Sequence, residues 1–507
     1  MTASAAEIVL KLSHIQKRFG TLLANNDISL ELHRGEVLAL LGENGAGKTT
    51  LMNILFGHYA ADSGTIEVFG KVLRGSSPGE AIAAGVGMVH QHFTLADNLT
   101  VLDNITLGTE PLWQLWQDRQ RSRQRLLQLS KSFGLTVNPE ARVGELSVGE
   151  RQRVEILKAL YRDVKILILD EPTAVLTPQE TESLFTTLDK LTQSGLSVVF
   201  ISHKLQEVMA VSDRVVVLRS GQVVADLPTA TTNPMELAEL MVGRPLPQTT
   251  RTPLSPGAPV LSLQKATVQT AEGRRLLDAV DLTVRQHEVV GIAGVSGNGQ
   301  TTLFNLISGL VQISSGDLCI NGQPCDRHSP AAAIAAGIAR IPEDRHHTGL
   351  ITDLQIWENL ILEHHQEPPF SQAGWLKRRV AAAHAETLIE AFDVRCPSPY
   401  ATVRLLSGGN MQKLILGRVL SQNPRLIIAS QPSRGLDLGA VTYVHQQLLA
   451  ARNRGAGVLL ISEDLEELLT LSDRLHVMYQ GRLSASLLPH AISIREIGLL
   501  MAGQSFA

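Results

Sequence analysis

The sequence predicts an α/β fold built twice in tandem, and three observations carry that expectation. The chain repeats itself: Gly42-Glu-Asn-Gly-Ala-Gly-Lys-Thr49 is echoed by Gly294-Val-Ser-Gly-Asn-Gly-Gln-Thr301, 252 positions later. Short β-branched runs alternate with helical stretches, the order of a mostly parallel sheet flanked by helices. Each glycine loop lies between such a run and a helical stretch, the setting a phosphate-binding loop requires.

The elements follow in order. Val37–Leu41 reads as the strand feeding the first loop and Thr49–Phe56 as the helix leaving it. Residues from about Asn98 to Leu157 are more helical and polar and are expected to form a separate helical subdomain. Ile166–Leu169 and Val215–Leu218 read as short apolar strands. Ser63-Gly64 returns as Ser315-Gly316 at the 252-residue offset, whereas Leu146–Glu150 returns as Leu406–Asn410 at 260, so the second copy has gained eight residues midway. Met241-Val-Gly243 and Met501-Ala-Gly503 keep the later offset. Pro245–Pro259, with five prolines and few apolar residues, reads as an extended linker. The expected domains are therefore residues 1–245 and 260–507, joined by 246–259.

Composition narrows the function classes. The 507 residues are 44% hydrophobic and 19% charged, the balance of folded globular domains. A net charge of -4 gives no electrostatic reason to invoke nucleic acid or an anionic membrane surface. Three cysteines, Cys319, Cys325 and Cys396, fit reduced thiols in a cytosolic compartment. No run approaches the ~20 apolar residues of a membrane-spanning helix, and the N-terminus lacks a secretory pattern. Membrane association is expected through partners, without direct insertion.

The chemistry sits in short segments. A G-x-x-x-x-G-K-[ST] loop wraps phosphates because its glycines permit the backbone angles at which successive N–H groups converge on oxygens. Lys48 is expected to reach the β- and γ-phosphates and Thr49 to ligate Mg²⁺. Lys165–Glu171 is an apolar strand ending in two carboxylates, where Asp170 takes the metal side and Glu171 polarises the attacking water. The histidines at 90, 92, 346, 347, 364 and 365 lack the spacing of a metal site. Glu463-Asp-Leu-Glu-Glu467 reads as a solvated helix start.

Glycine loop, Gln91 in Gly87–Phe93, Leu146–Glu150, Asp170-Glu171 and His203 in Ile201–Lys204 stand in one order that resembles the ABC-type nucleotide-binding domains from end to end. The resemblance implies two tandem P-loop ATPase domains, each a RecA-like parallel sheet core with a β-subdomain and a helical subdomain. It implies ATP bound by Gly42, Glu43, Asn44, Gly45, Ala46, Gly47, Lys48, Thr49 and Thr50. Phe19 is similar to the aromatic that stacks on adenine, an ordinary packed Phe being the alternative. Gln91 is similar to the residue that touches Mg²⁺ and water, and His203 to the γ-phosphate contact that orients Glu171.

In the second copy Gln300 replaces the lysine, Ser430-Gln431 the carboxylate pair, Glu343 the position of Gln91 and Glu463 that of His203. Simple alignment places Ala271 opposite Phe19. Such a half cannot assemble a catalytic centre, and the added acids are expected to repel triphosphate. Whether its loop still binds nucleotide stays open.

Family members pair head to tail, which implies that the first loop faces Ser407, Gly408 and Gly409 of the well-preserved Leu406–Asn410. The altered Leu146–Glu150, with Val148 in place of a glycine, then faces the decayed loop. Fused halves with one decayed site resemble the ATPases of monosaccharide and nucleoside importers. Gly87–Phe93, Asp170–Pro178 and Ile341–Arg345 resemble the nucleoside branch; the ribose branch is the alternative, and a soluble ATPase acting on ribosomes or DNA is a further one. The implied partners are two membrane permeases and an extracytoplasmic binding protein, with the chain peripheral on the cytoplasmic face of the inner membrane.

Overall fold

The computed structural model describes residues 7–73, 77–90, 93–109, 118–173, 176–202, 204–245, 251–325 and 328–504. The chain divides into two compact units, Met1–Leu246 and Pro247–Ala507.

In the first unit, strands β1 (Ile8–Phe19), β2 (Leu22–His33), β4 (Ser63–Val68) and β5 (Lys71–Leu73) form an antiparallel sheet in the order β2-β1-β4-β5. A second sheet is built from β3 (Val37–Leu41), β6 (Val86–Val89), β7 (Ile166–Asp170), β8 (Ser197–Ile201), β9 (Arg214–Arg219) and β10 (Gln222–Pro228), in the order β10-β9-β3-β8-β7-β6. All its pairings are parallel except β10 with β9. The inner strands β3, β7 and β8 are buried at every position, which is why they read as unbroken apolar runs. Alternate residues Leu38, Leu40, Ile166, Ile168, Val199 and Ile201 join the core that also takes in Leu10, Leu12 and Leu30 of the antiparallel sheet.

Register positions the site. Leu40 pairs with Ile201, Leu41 with Val217, Asp170 with Ile201 and Val89 with Leu169, so the parallel strands end together. The glycine loop and the carboxylate pair leave at that common carboxyl edge, where open α/β sheets bind ligands. The helices Val101–Thr106, Arg119–Phe133 and Val148–Leu160 pack on one another in the stretch read as helical.

The second unit repeats this plan with β11 (Pro259–Gln269), β12 (Arg275–Arg285), β13 (Val289–Ala293), β14 (Ser315–Ile320), β15 (Gln323–Pro324), β16 (Ile338–Ile341), β17 (Ser371–Gln372), β18 (Trp375–Leu376), β19 (Leu426–Ser430), β20 (Gly457–Ser462), β21 (Arg474–Tyr479) and β22 (Arg482–Leu483). Its sheets run β12-β11-β14-β15 and β16-β19-β20-β13-β21-β22, with β17-β18 as a separate hairpin in the stretch where the sequence lengthens. One packing device recurs: Asp213 accepts from the Val37 N–H and Asp473 from the Val289 N–H, each at 2.8 Å, fixing the start of the loop-bearing strand.

Two expectations change. Residues 251–258, read as part of an extended linker, lie against the second unit, and Pro259 already belongs to β11. Arg251 pairs with Asp473 at 3.0 Å, and the fully buried Arg452 donates to the Thr252 carbonyl at 2.7 Å and to Asp473 at 2.9 Å. In β1 and β11, Leu10 pairs with Val68 and Leu261 with Ile320, an offset of 251 rather than 252. Phe19 therefore corresponds to Thr270, not Ala271, and the position still lacks an aromatic.

Candidate nucleotide site

The first loop depends on backbone angles that only glycine takes freely. Gly47 caps the helix Lys48–Leu55 at φ +101°, and a Cβ there would lie 2.4 Å from the Ala24 carbonyl oxygen. Lys48 opens the helix and is buried, its ammonium donating to the carbonyls of Gly42 at 2.7 Å and Glu43 at 3.1 Å. Burial pulls that ammonium below its ordinary pKa, and the carboxylates of Glu171, Asp170 and Glu43 pull it back. Asn44, Gly45 and Thr49 are exposed at the loop, while Ala46 is buried and Thr50 half-buried.

Asp170 is the last residue of β7 and only 8% exposed. Burial, then the neighbouring Glu171, push its carboxyl up to about 6, against the attraction of Lys48. A buried carboxylate that resists carrying its charge alone is a fitting donor for a hard divalent cation, and an exposed Thr49 hydroxyl is a second. Glu171 follows at φ +47° with its N–H donating to the Ile201 carbonyl at 2.9 Å. Its counterpart Gln431 has φ +49° and donates to Ile461 at 2.8 Å. Because both copies share it, the left-handed turn belongs to the fold and not to the chemistry of one copy.

The structure thus brings Asp170, Glu171 and Glu43 into electrostatic range of Lys48. Gln91 and His203, expected beside them, lie outside the described residues, although β6 and β8 that lead to them end at the same edge. Phe19 ends β1, 42% exposed, edge-on to Tyr59 at 5.5 Å and under the Lys17 ammonium at 5.6 Å. It is not a core residue, which removes the ordinary packed reading; the Tyr59 contact had no sequence signal.

The two Leu-Ser segments differ at their helix starts. Ser147 and Glu150 form a capping box on Val148–Leu160, the Glu150 carboxylate accepting from the Ser147 N–H at 2.8 Å. Glu150 is held below the usual carboxylate range by those bonds. In the second unit Ser407 precedes Gly408–Leu420 without a side-chain cap, and its hydroxyl accepts from the Asn410 amide at 2.9 Å. The S-x-x-E spacing was the available signal for the first of these.

In the second loop the Gln300 side chain folds inward where Lys48 does in the first, donating to the Val295 carbonyl at 2.9 Å. Two acids expected to repel triphosphate are engaged: Glu343 pairs with Arg434, and Glu463 accepts from the Ser296 N–H at 2.8 Å. The run 463–467 is likewise not simply solvated. Asp464 caps the helix Leu465–Leu471, but Glu467 is buried against His445 at 2.9 Å. Among the described residues no three His, Cys, Asp or Glu side chains cluster as metal ligands, and no helix is long and apolar enough to cross a membrane.

The ABC transporter family profile matches residues 25–174 and 277–434, both glycine loops included. The chain belongs to the ABC transporter family. It is 45% identical to the guanosine import ATP-binding protein of Bacillus subtilis, over 98% of each chain. It is 42% identical to the nucleoside import ATP-binding protein of Lactococcus lactis, over 98% of this chain and 99% of that one. Against the glucose import ATP-binding protein of Haloferax volcanii the identity is 45%, over 98% and 96%. As an ABC ATP-binding import protein it is an ATPase of two cassettes.

Proposed function

We propose that this chain hydrolyses ATP at its first loop alone and couples the cycle to uptake of a nucleoside. The observation that carries the reading is the asymmetry of the two strand ends. Buried Lys48 and Asp170 interact with each other and with the half-buried Glu171 in one unit, and neutral Gln300, Ser430 and Gln431 stand in the other.

In this reading the loop N–H groups and Lys48 hold the β- and γ-phosphates, Phe19 stacks on the base, and Glu171 takes a proton from the attacking water. Asp170 and Thr49, with Gln91, would hold Mg²⁺, which neutralises phosphate charge when bound. His203 orients the base. Ser407, Gly408 and Gly409, at the uncapped start of Gly408–Leu420, would offer N–H groups to a γ-phosphate. Import ATP-binding subunits work with membrane permeases and substrate-binding proteins, so two permeases and an extracytoplasmic binding protein are the partners proposed, with the chain peripheral on the inner membrane.

Guanosine and nucleoside importers among the relatives favour a nucleoside; the glucose importer at equal identity keeps a simple sugar as the second reading. The test is ATP hydrolysis by the chain assembled in lipid with candidate permeases and binding protein from the same organism, against nucleosides, pentoses and glucose. Stimulation by nucleosides is expected. Stimulation by sugars alone refutes the nucleoside assignment, and failure to associate with a permease refutes the importer.

A further inference from the structure

The second glycine loop already holds an anion, and the anion is part of the chain. Glu463 Oε1 accepts from the Ser296 N–H at 2.8 Å, although the two residues are 167 positions apart. The Glu463 N–H in turn donates to Gln431 Oε1 at 3.2 Å, and the Gln431 N–H is tied to Ile461. A second loop amide is also consumed: the Asn298 N–H donates to Gln300 Oε1 at 3.1 Å. Gln300 is buried, and a Cβ on Gly294 would meet its Nε2 at 2.4 Å, a measure of how fully the amide fills the loop.

A phosphate loop works by leaving its N–H groups to converge on oxygens beside a cation. Here one N–H serves a carboxylate, another serves a side-chain amide, and the lysine that would offset phosphate charge is a neutral glutamine. A triphosphate entering this loop must displace a like-charged group and finds no ammonium in return. The first unit's Leu146–Glu150 segment carries a parallel feature, since the Glu150 carboxylate occupies the start of its helix.

We propose that Glu463 is the resident ligand of the second loop and that its carboxylate excludes nucleoside triphosphate from it. The inference rests on the first loop being the ATP site, which serves as its internal control. It assigns Glu463 a role as the group that sets nucleotide occupancy at one per chain, distinct from the loss of the lysine.

The test is equilibrium dialysis of the full chain with a labelled, non-hydrolysable ATP analogue and Mg²⁺. The wild type is expected to bind one equivalent, lost in Lys48→Ala. Glu463→Ala, and Glu463→Gln as the near-isosteric check on folding, are expected to tighten the second loop about ten- to hundredfold, the range of a charge-assisted hydrogen bond lost. Combined with Gln300→Lys, either should yield two equivalents, whereas Gln300→Lys with Glu463 intact should stay at one. Two equivalents in the wild type, two in Gln300→Lys alone, or one in the combined variants overturns the proposal. Retention of the first equivalent in Lys48→Ala instead refutes the reading of the first loop.

Discussion

Asp170→Asn isolates the electrostatic cost of burying a carboxyl beside Glu171. The wild-type carboxyl is pushed from 3.8 up to about 6 by burial and by Glu171, so the folded state binds its proton more tightly than the unfolded chain. Stability from this group therefore falls as pH rises between about 4 and about 6, because there the native state holds the extra proton. At pH 7.5 the whole penalty is present, about 3 kcal/mol from a shift of about 2 pH units at 1.36 kcal/mol each. An uncharged amide removes it. In nucleotide-free buffer with chelator, thermal melting of the first unit should rise by about 6–12 °C at pH 7.5, fall to about half that gain by pH 5 and about a fifth by pH 4, and vanish below about pH 3. Adding Mg²⁺ with ATP should stabilise the wild type more than Asp170→Asn. If the variant is no more stable at pH 7.5, or its gain does not shrink with acidity, the carboxyl is not strained in the way described.

Other perturbations separate the roles. Glu171→Gln should lower steady-state ATP turnover by about 10²–10⁴-fold while leaving nucleotide binding intact; near-normal turnover would remove Glu171 as the base. Gln431→Ala should leave turnover within about threefold, and complete loss would make the second unit catalytic. Gly47→Ala places a Cβ 2.4 Å from the Ala24 oxygen at φ +101°, so about 2–4 kcal/mol of stability should be lost, read by chemical denaturation. Arg452→Ala strips a fully buried guanidinium from Asp473 and the Thr252 carbonyl, and the second unit should lose about 3–5 kcal/mol in the same assay.

Much of the fold is legible in the sequence. Val37–Leu41 appears as read, and Thr49–Phe56 shifts by one residue because Lys48 opens the helix. Continuous apolar runs betray strands buried on both faces, and a loop between strand and helix fixes its own geometry locally. What escaped depends on partners distant in sequence. Glu463 looks solvated beside Asp464, yet its partner is Ser296, and Glu343 looks like a free acid until Arg434, 91 positions on, is found against it. The match of Phe19 to Ala271 failed for a different reason, since a one-residue change of offset in the first strand is invisible to a count along the chain.

The shared left-handed turn at Glu171 and Gln431 bears on how the second copy lost its chemistry. A residue at φ +49° beyond β19 is costly for a glutamine, and nothing in glutamine's own chemistry asks for it. The turn persists because the parallel strands and the bond to Ile461 hold it there. At this turn the second copy differs from the first in the side chain and keeps the same main chain. A carboxylate restored at position 431 would therefore leave a main chain already bent as it is at Glu171.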